Sequence, residues 1–153
     1  MTDPASMTAS AAWVSGQRFL GAVGSGHGVI LDASADAAGQ RLSGSPVEML
    51  LLSLAGCASM DVAAILRKMR QPMTGCAVSV SDVRAVAHPR VFTDIHVRYR
   101  IAGIGLEVEK VERTVALSMD NYCSVSAMLG KTARLTHEIV FVDGNDAASG
   151  DSS

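Results

Sequence analysis

Two thiols, a carboxylate and a guanidinium carry the reactive possibilities of this chain. Cys57 lies inside the apolar run "SPVEMLLLSLAGCASMD", Ser45 to Asp61, with Asp61 four residues further on. That spacing puts both side chains on one face of a helix. A mid-helix cysteine on its own reads as packing, because free cysteine behaves as a small hydrophobe and is among the most buried residue types. Asp61 does not activate the thiol, since a negative charge beside it raises its pKa. The carboxylate either binds an arginine or marks where the face meets solvent. Cys123, in "DNYCSVSAML", falls between two helical patterns, at the first turn or cap of the second. Backbone N–H groups there face the sulfur and favour its thiolate; an ordinary junction residue is the competing reading. Cys76 opens an alternating strand pattern and reads as core.

The remaining reactive residues form no recognised pattern. His27, His88, His96 and His137 are scattered, and no CxxC, HxxxH or HExxH spacing occurs, so no metal site is expected. "GAVGSGHG" lacks both GxGxxG and a terminal GK[ST] and reads as a hairpin turn. "GCASM" is no nucleophile elbow, because no strand feeds it.

The elements that must position the thiols follow from periodicity. "AAWVSGQRFLGAVGSGHGVILDAS" alternates short apolar segments with Gly-rich turns, a three-stranded meander. A long helix follows, with Ser45 as N-cap, Pro46 at its first position, Glu48 completing a capping box and Pro72 ending it. Its early turns are apolar nearly all round, as in a helix buried in a core or against another subunit. "GCAVSVSDVRAVAHPRVFTDIHVRYRIAG" is a hairpin. In its second arm Phe92, Asp94, His96, Arg98 and Arg100 share the wet face, and Val91, Ile95, Val97, Tyr99 and Ile101 the dry one. A second helix with Val108, Val111 and Val115 inward, a short helix "SVSAML" and a last strand "ARLTHEIVFVD" complete the order β-β-β-α-β-β-α-α-β. This is an α+β fold with mainly antiparallel sheet. Residues 1–10 and 144–153 are small and polar and read as flexible ends around a single domain, 11–143.

Composition bounds the function. A chain of 153 residues with 48% hydrophobic and 18% charged residues can bury one sizeable core. A net charge of -2 offers no basic field for nucleic acid or acidic lipid. The apolar run Met49–Leu52 is cut by Ser53 and then Asp61, so no membrane span is expected. The N-terminus has no basic and apolar signal pattern. The expected location is the cytoplasm, where thiols stay reduced, and three cysteines cannot all pair within one chain.

The buried helix opening "SPVE", the cysteine in "LLLSLAGCASMDV" and the second cysteine in "NYCSVSAML" together resemble the OsmC/Ohr family of osmotically induced and organic-hydroperoxide-resistance proteins. The wording is closest to its YhfA-like branch, and the resemblance runs from about Trp13 to Val142. It implies an intertwined homodimer with the long helices at its centre and the sites at the interface. It also implies a thiol peroxidase acting in oxidative or osmotic stress. Cys57 would attack a small apolar hydroperoxide, Cys123 would resolve the sulfenic acid to a disulfide, and an external dithiol would restore both, without a bound cofactor. In family peroxidases an arginine from the N-terminal hairpin, here Arg18, stabilises the thiolate, and a glutamate after the helix proline holds that arginine. This chain has Val47 at the glutamate position and Glu48 one residue later, which leaves Asp61 as another possible holder. The alternatives are a non-catalytic thiol sensor or small-molecule-binding dimer of the same fold, and a structural dimer with inert thiols.

Overall fold

The computed structural model describes residues 6–33, 35 and 38–144. The ends expected to be flexible lie largely outside these residues, although Ala9 and Ser10 already belong to the first strand. The chain divides into two compact units at Leu50/Leu51.

The N-terminal unit holds β1 (Ala9–Ser15), β2 (Arg18–Val23) and β3 (Gly28–Asp32), an antiparallel meander in that order. Its first hairpin carries a bulge between Trp13 and Ser15, and Gly16 takes the left-handed backbone conformation the turn needs. The Gly-rich stretch is the β2–β3 turn, closed by hydrogen bonds from Val23 N to His27 O and from Gly26 N to Val23 O. Arg18 and Asp32 face each other across β2 and β3. The guanidinium donates to Asp32 Oδ2 from Nε at 3.1 Å and Nη2 at 2.9 Å, and Leu42 N donates to the same oxygen at 3.2 Å. Asp32 is fully buried, so these donors offset the large cost of desolvating its charge. The apolar side chains of this sheet stay exposed on their own chain, Trp13, Leu20 and Val14 among them.

The unit ends in the first turn of α1 (Pro46–Lys68), which is capped as the sequence predicts. Ser45 N donates to Glu48 Oε2 at 2.6 Å, and Glu48 N donates back to Ser45 Oγ at 3.3 Å. Arg41 adds a two-pronged contact, Nη1 to Oε2 and Nη2 to Oε1, both 3.0 Å. The Ser45 hydroxyl, the Ser45 amide and Arg41 together hold the Glu48 carboxyl down at about 2.

The second unit carries the rest of α1, β4 (Met73–Arg84), β5 (Phe92–Gly103), α2 (Val108–Leu117), a π-helical turn (Ser118–Tyr122), α3 (Ser124–Leu129) and β6 (Arg134–Val142). Its sheet order is β4-β5-β6. The β4–β5 pair is antiparallel, whereas β5 and β6 run parallel, because the helical crossover between them returns the chain to its starting edge. Ile95, Val97, Tyr99 and Ile101 are buried, the dry face expected for β5. The alternation slips at its start. Val83 pairs with Asp94 and Arg84 with Phe92, so Thr93 is an extra residue that turns Phe92 inward and leaves Val91 exposed. In α2, Val111, Thr114 and Val115 are buried while Val108, the first helical residue, is exposed.

Along α1 the buried residues are Leu54, Ala58, Val62 and Leu66, one stripe at a spacing of four. Leu50, Leu52 and Met60 remain exposed, Met60 by 75%. Length and apolarity alone would let this helix cross a bilayer, a point at which it differs from the expectation above. Core helices share that length and apolarity, and this helix supplies the buried stripe of its unit.

Glu48 links the helix start to pH. Its folded value lies below the ordinary carboxylate value of 4.5, so its contribution is complete above 4.5 and disappears as the pH falls through about 2. Because the group is exposed, the contribution is discounted to roughly 0.5–1 kcal/mol. Glu48→Gln should lower stability by that amount at pH 7 in urea titrations, with the gap to wild type closing near pH 2.

Candidate functional site

Ser118 organises the region around the two thiols. It stands seven residues after Val111 and three after Val115, so it continues the buried stripe of α2. Its hydroxyl donates to Asp61 Oδ2 at 3.1 Å, tying the end of α2 to the middle of α1. Its carbonyl accepts from Cys123 N at 2.8 Å, the i to i+5 bond that closes the π-helical turn. One residue therefore grips the α1 carboxylate and fixes where the next cysteine emerges.

Cys123 is the N-cap of α3, as its sequence context predicts. Its backbone is extended, with φ -72° and ψ 102°, and its sulfur accepts from Ser126 N at 3.4 Å. The side chain is buried. Cys57 is half-buried on α1, one turn before Asp61. Cys57 Sγ, Cys123 Sγ and a carboxylate oxygen of Asp61 all lie within 4.8 Å of one another. Residues 66 positions apart in the chain thus meet at one point.

Electrostatics there favours the neutral form of Cys57. Burial pushes the Cys57 thiol up, the neighbouring Cys123 and the Asp61 charge push the same way, and the backbone N–H of Val125 opposes them. Tyr99 projects from β5 into the same interior. Its phenol is also raised by burial, with Cys123, Cys76 and Asp61 adding to the effect. The hydroxyl is fully enclosed and approaches Ser118 without reaching good hydrogen-bond geometry. Cys76, half-buried on β4, stands apart from the Cys57–Asp61–Cys123 cluster; burial alone raises its thiol.

Arg18, the arginine expected at the thiolate, has Asp32 as its carboxylate partner, and Asp61 accepts from Ser118. The holder sought in Asp61 is thus the residue across the strand pair. Sequence reasoning also passed over Arg41, whose partner is Glu48, and over Ser118 and Tyr99. For Ser118 the signal was present, a small polar residue continuing an apolar stripe. At Asp61 an open groove of about 490 Å³ is lined by the charged Asp61 and Lys68 and by Ala64, Ile65, Met69, Leu117 and Tyr122.

This helix, its central cysteine and the second cysteine at a helix cap lie in a segment that matches a known family: residues 37–138 fit the OsmC-like proteins. The chain belongs to the OsmC family. Protein YhfA of Escherichia coli (strain K12) is 40% identical over 131 residues, covering 86% of this chain and 95% of YhfA. A solved structure of an Aquifex aeolicus VF5 protein superposes with a TM-score of 0.79 at 25% identity, covering 91% of this chain and 98% of that one. The organic hydroperoxide resistance protein OsmC of Legionella pneumophila gives a TM-score of 0.67 at 13% identity, covering 91% and 99%; at that identity the likeness is one of fold. This OsmC-family chain therefore has the α+β fold class, with two sheets and a long helix, that its sequence resemblance implied.

Removing the Asp61 charge should release part of the restraint on Cys57. In Asp61→Asn, iodoacetamide labelling of Cys57 at pH 7 should be roughly two- to tenfold faster than in wild type, read by peptide mass spectrometry. An unchanged or slower rate would show that the carboxylate does not govern this thiol.

Proposed function

We propose that the protein is a thiol-dependent peroxidase that reduces organic hydroperoxides. The observation that carries this reading is the approach of the Cys57 and Cys123 sulfurs to within 4.8 Å. A sulfenic acid escapes over-oxidation when a second thiol lies close enough to condense with it. Cys57, the more accessible thiol, attacks the terminal peroxide oxygen as its thiolate. The O–O bond breaks, the sulfur keeps that oxygen and becomes sulfenic acid, and the alkoxide leaves as the alcohol after taking up a proton. The Cys123 sulfur then displaces hydroxide from the sulfenic acid, which forms the disulfide and releases water. An external dithiol exchanges with the disulfide, becomes oxidised itself and restores both thiols. No bound cofactor takes part.

The groove at Asp61 supports a substrate with an apolar part, since Ala64, Ile65, Met69, Leu117 and Tyr122 line it together with the charged Asp61 and Lys68. The exposed apolar face of α1 and the exposed apolar residues of β1 to β3 support a homodimer, because a three-stranded sheet and a half-covered helix need further apolar cover. Within this reading Arg18 stabilises the Cys57 thiolate in the assembled dimer, countering the upward push of burial and Asp61.

That upward push favours a second reading, in which the thiols are oxidised once, as a sensor, instead of in cycles. Turnover separates the two. With cumene hydroperoxide and excess dithiothreitol, the wild type should consume many equivalents of peroxide per chain. Cys57→Ser should fall to the uncatalysed rate, and Arg18→Lys should slow the first oxidation. One equivalent consumed followed by a halt would support the sensor and exclude the peroxidase.

A further inference from the structure

The triad at the thiols is also a ligand set. We propose that Cys57, Cys123 and Asp61 bind one thiophilic divalent cation of the zinc class when the thiols are reduced, and that the ion withholds both sulfurs from peroxide. The inference deepens the reading above by adding a regulator of the same site, but it stands on ligand geometry and not on turnover.

The three donor atoms already lie within 4.8 Å of one another. A tetrahedral zinc ion with sulfur at about 2.3 Å and oxygen at about 2.0 Å needs donor separations of roughly 3.4–3.8 Å. The required contraction is about 1 Å, within reach of side-chain rotation. Two thiolates and one carboxylate make a donor set that suits zinc better than calcium or magnesium, which prefer oxygen alone. Binding replaces two thiol protons by one ion of charge +2, so a site that would hold three negative charges is left with one.

The surroundings are those of an oriented ligand shell. Ser118 Oγ donates to Asp61, Ser126 N donates to Cys123 Sγ, and the Val125 N–H acts on Cys57. Metal-binding side chains are held by outer partners of this kind. An independent observation points to the same place. Among the described residues the fully buried Tyr99 hydroxyl has no partner in good hydrogen-bond geometry, Ser118 being approached without one, and Cys123 and Asp61 lie near enough to act on it. An unpartnered buried hydroxyl is costly, and a metal-bound thiolate, the second carboxylate oxygen or a water in the fourth coordination position would satisfy it. Cys57 and Asp61 are only half-buried, which leaves the ion a path inward. Local spacing could not reveal this set, since two ligands come from α1 and the third from the cap of α3.

Release of the ion returns both thiols to the peroxide cycle described above, and the disulfide formed there has no thiolate left to bind the ion again until it is reduced.

The test is an anaerobic titration of the reduced full-length protein with cobalt(II), followed by zinc competition. One ion per chain should bind, with thiolate-to-cobalt charge-transfer absorption and the intense visible bands of tetrahedral cobalt, and zinc should displace it. Cys57→Ser and Cys123→Ser should each abolish the charge-transfer spectrum, Asp61→Asn should weaken binding at least about tenfold, and Cys76→Ser should change nothing. Wild type carrying the Cys57–Cys123 disulfide should not bind, a control that does not depend on a variant folding. A missing charge-transfer band, a band that survives Cys57→Ser, or affinity unchanged in Asp61→Asn would overturn the proposal. Because the readout uses no peroxide, cobalt binding without turnover would sink only the peroxidase reading, and turnover without cobalt binding only this one.

Discussion

The clasp made by Ser118 is the constraint on which the thiol site depends. Its side chain holds the Asp61 carboxylate and its main chain closes the turn that delivers Cys123. The bond lies beside packed apolar side chains of α1 and α2, where a hydrogen bond to a charged acceptor is worth more than one in water. Together with the burial of Cys123, it holds the cap of α3 to α1, where the two sulfurs meet. The π-helical turn belongs to the same device. An ordinary α-turn would end one residue sooner and rotate the cysteine away from α1.

The site carries a tension between assembly and reactivity. Burial, the neighbouring Cys123 and the Asp61 charge push the Cys57 thiol up, yet nucleophilic attack and metal binding both use the thiolate. A guanidinium brought to Cys57 would free its thiolate for attack, whereas a divalent ion would hold the sulfurs back from it. Such an arrangement stays quiet by default, which suits a thiol that must not oxidise at random.

The long helix serves two environments at once. The stripe Leu54, Ala58, Val62 and Leu66 builds the core of the second unit, while Leu52 and Met60 are exposed on this chain, the surface the proposed dimer would cover. Nearly uniform apolarity around a helix is costly in a lone small protein and economical in an assembly that shares its core.

Much of this was legible in the sequence. The capping box at Ser45 and Glu48, the order of strands and helices, the dry face of β5 and the place of Cys123 at a helix cap are local properties, set by spacing, turn chemistry and side-chain period. Where the reading slipped, a neighbour had intervened: the extra residue Thr93 reversed the alternation at Phe92, and the helix start left Val108 exposed. Family resemblance supplied the pairing of the two cysteines, which no local rule contains. The partners chosen across the chain belong to the tertiary structure alone: Arg18 with Asp32, Asp61 with Ser118, and two sulfurs beside a carboxylate. The physical reason is range. Hydrophobic period and caps act over a few residues, whereas a charge or a hydroxyl pairs with whatever the fold brings within about 3 Å of it.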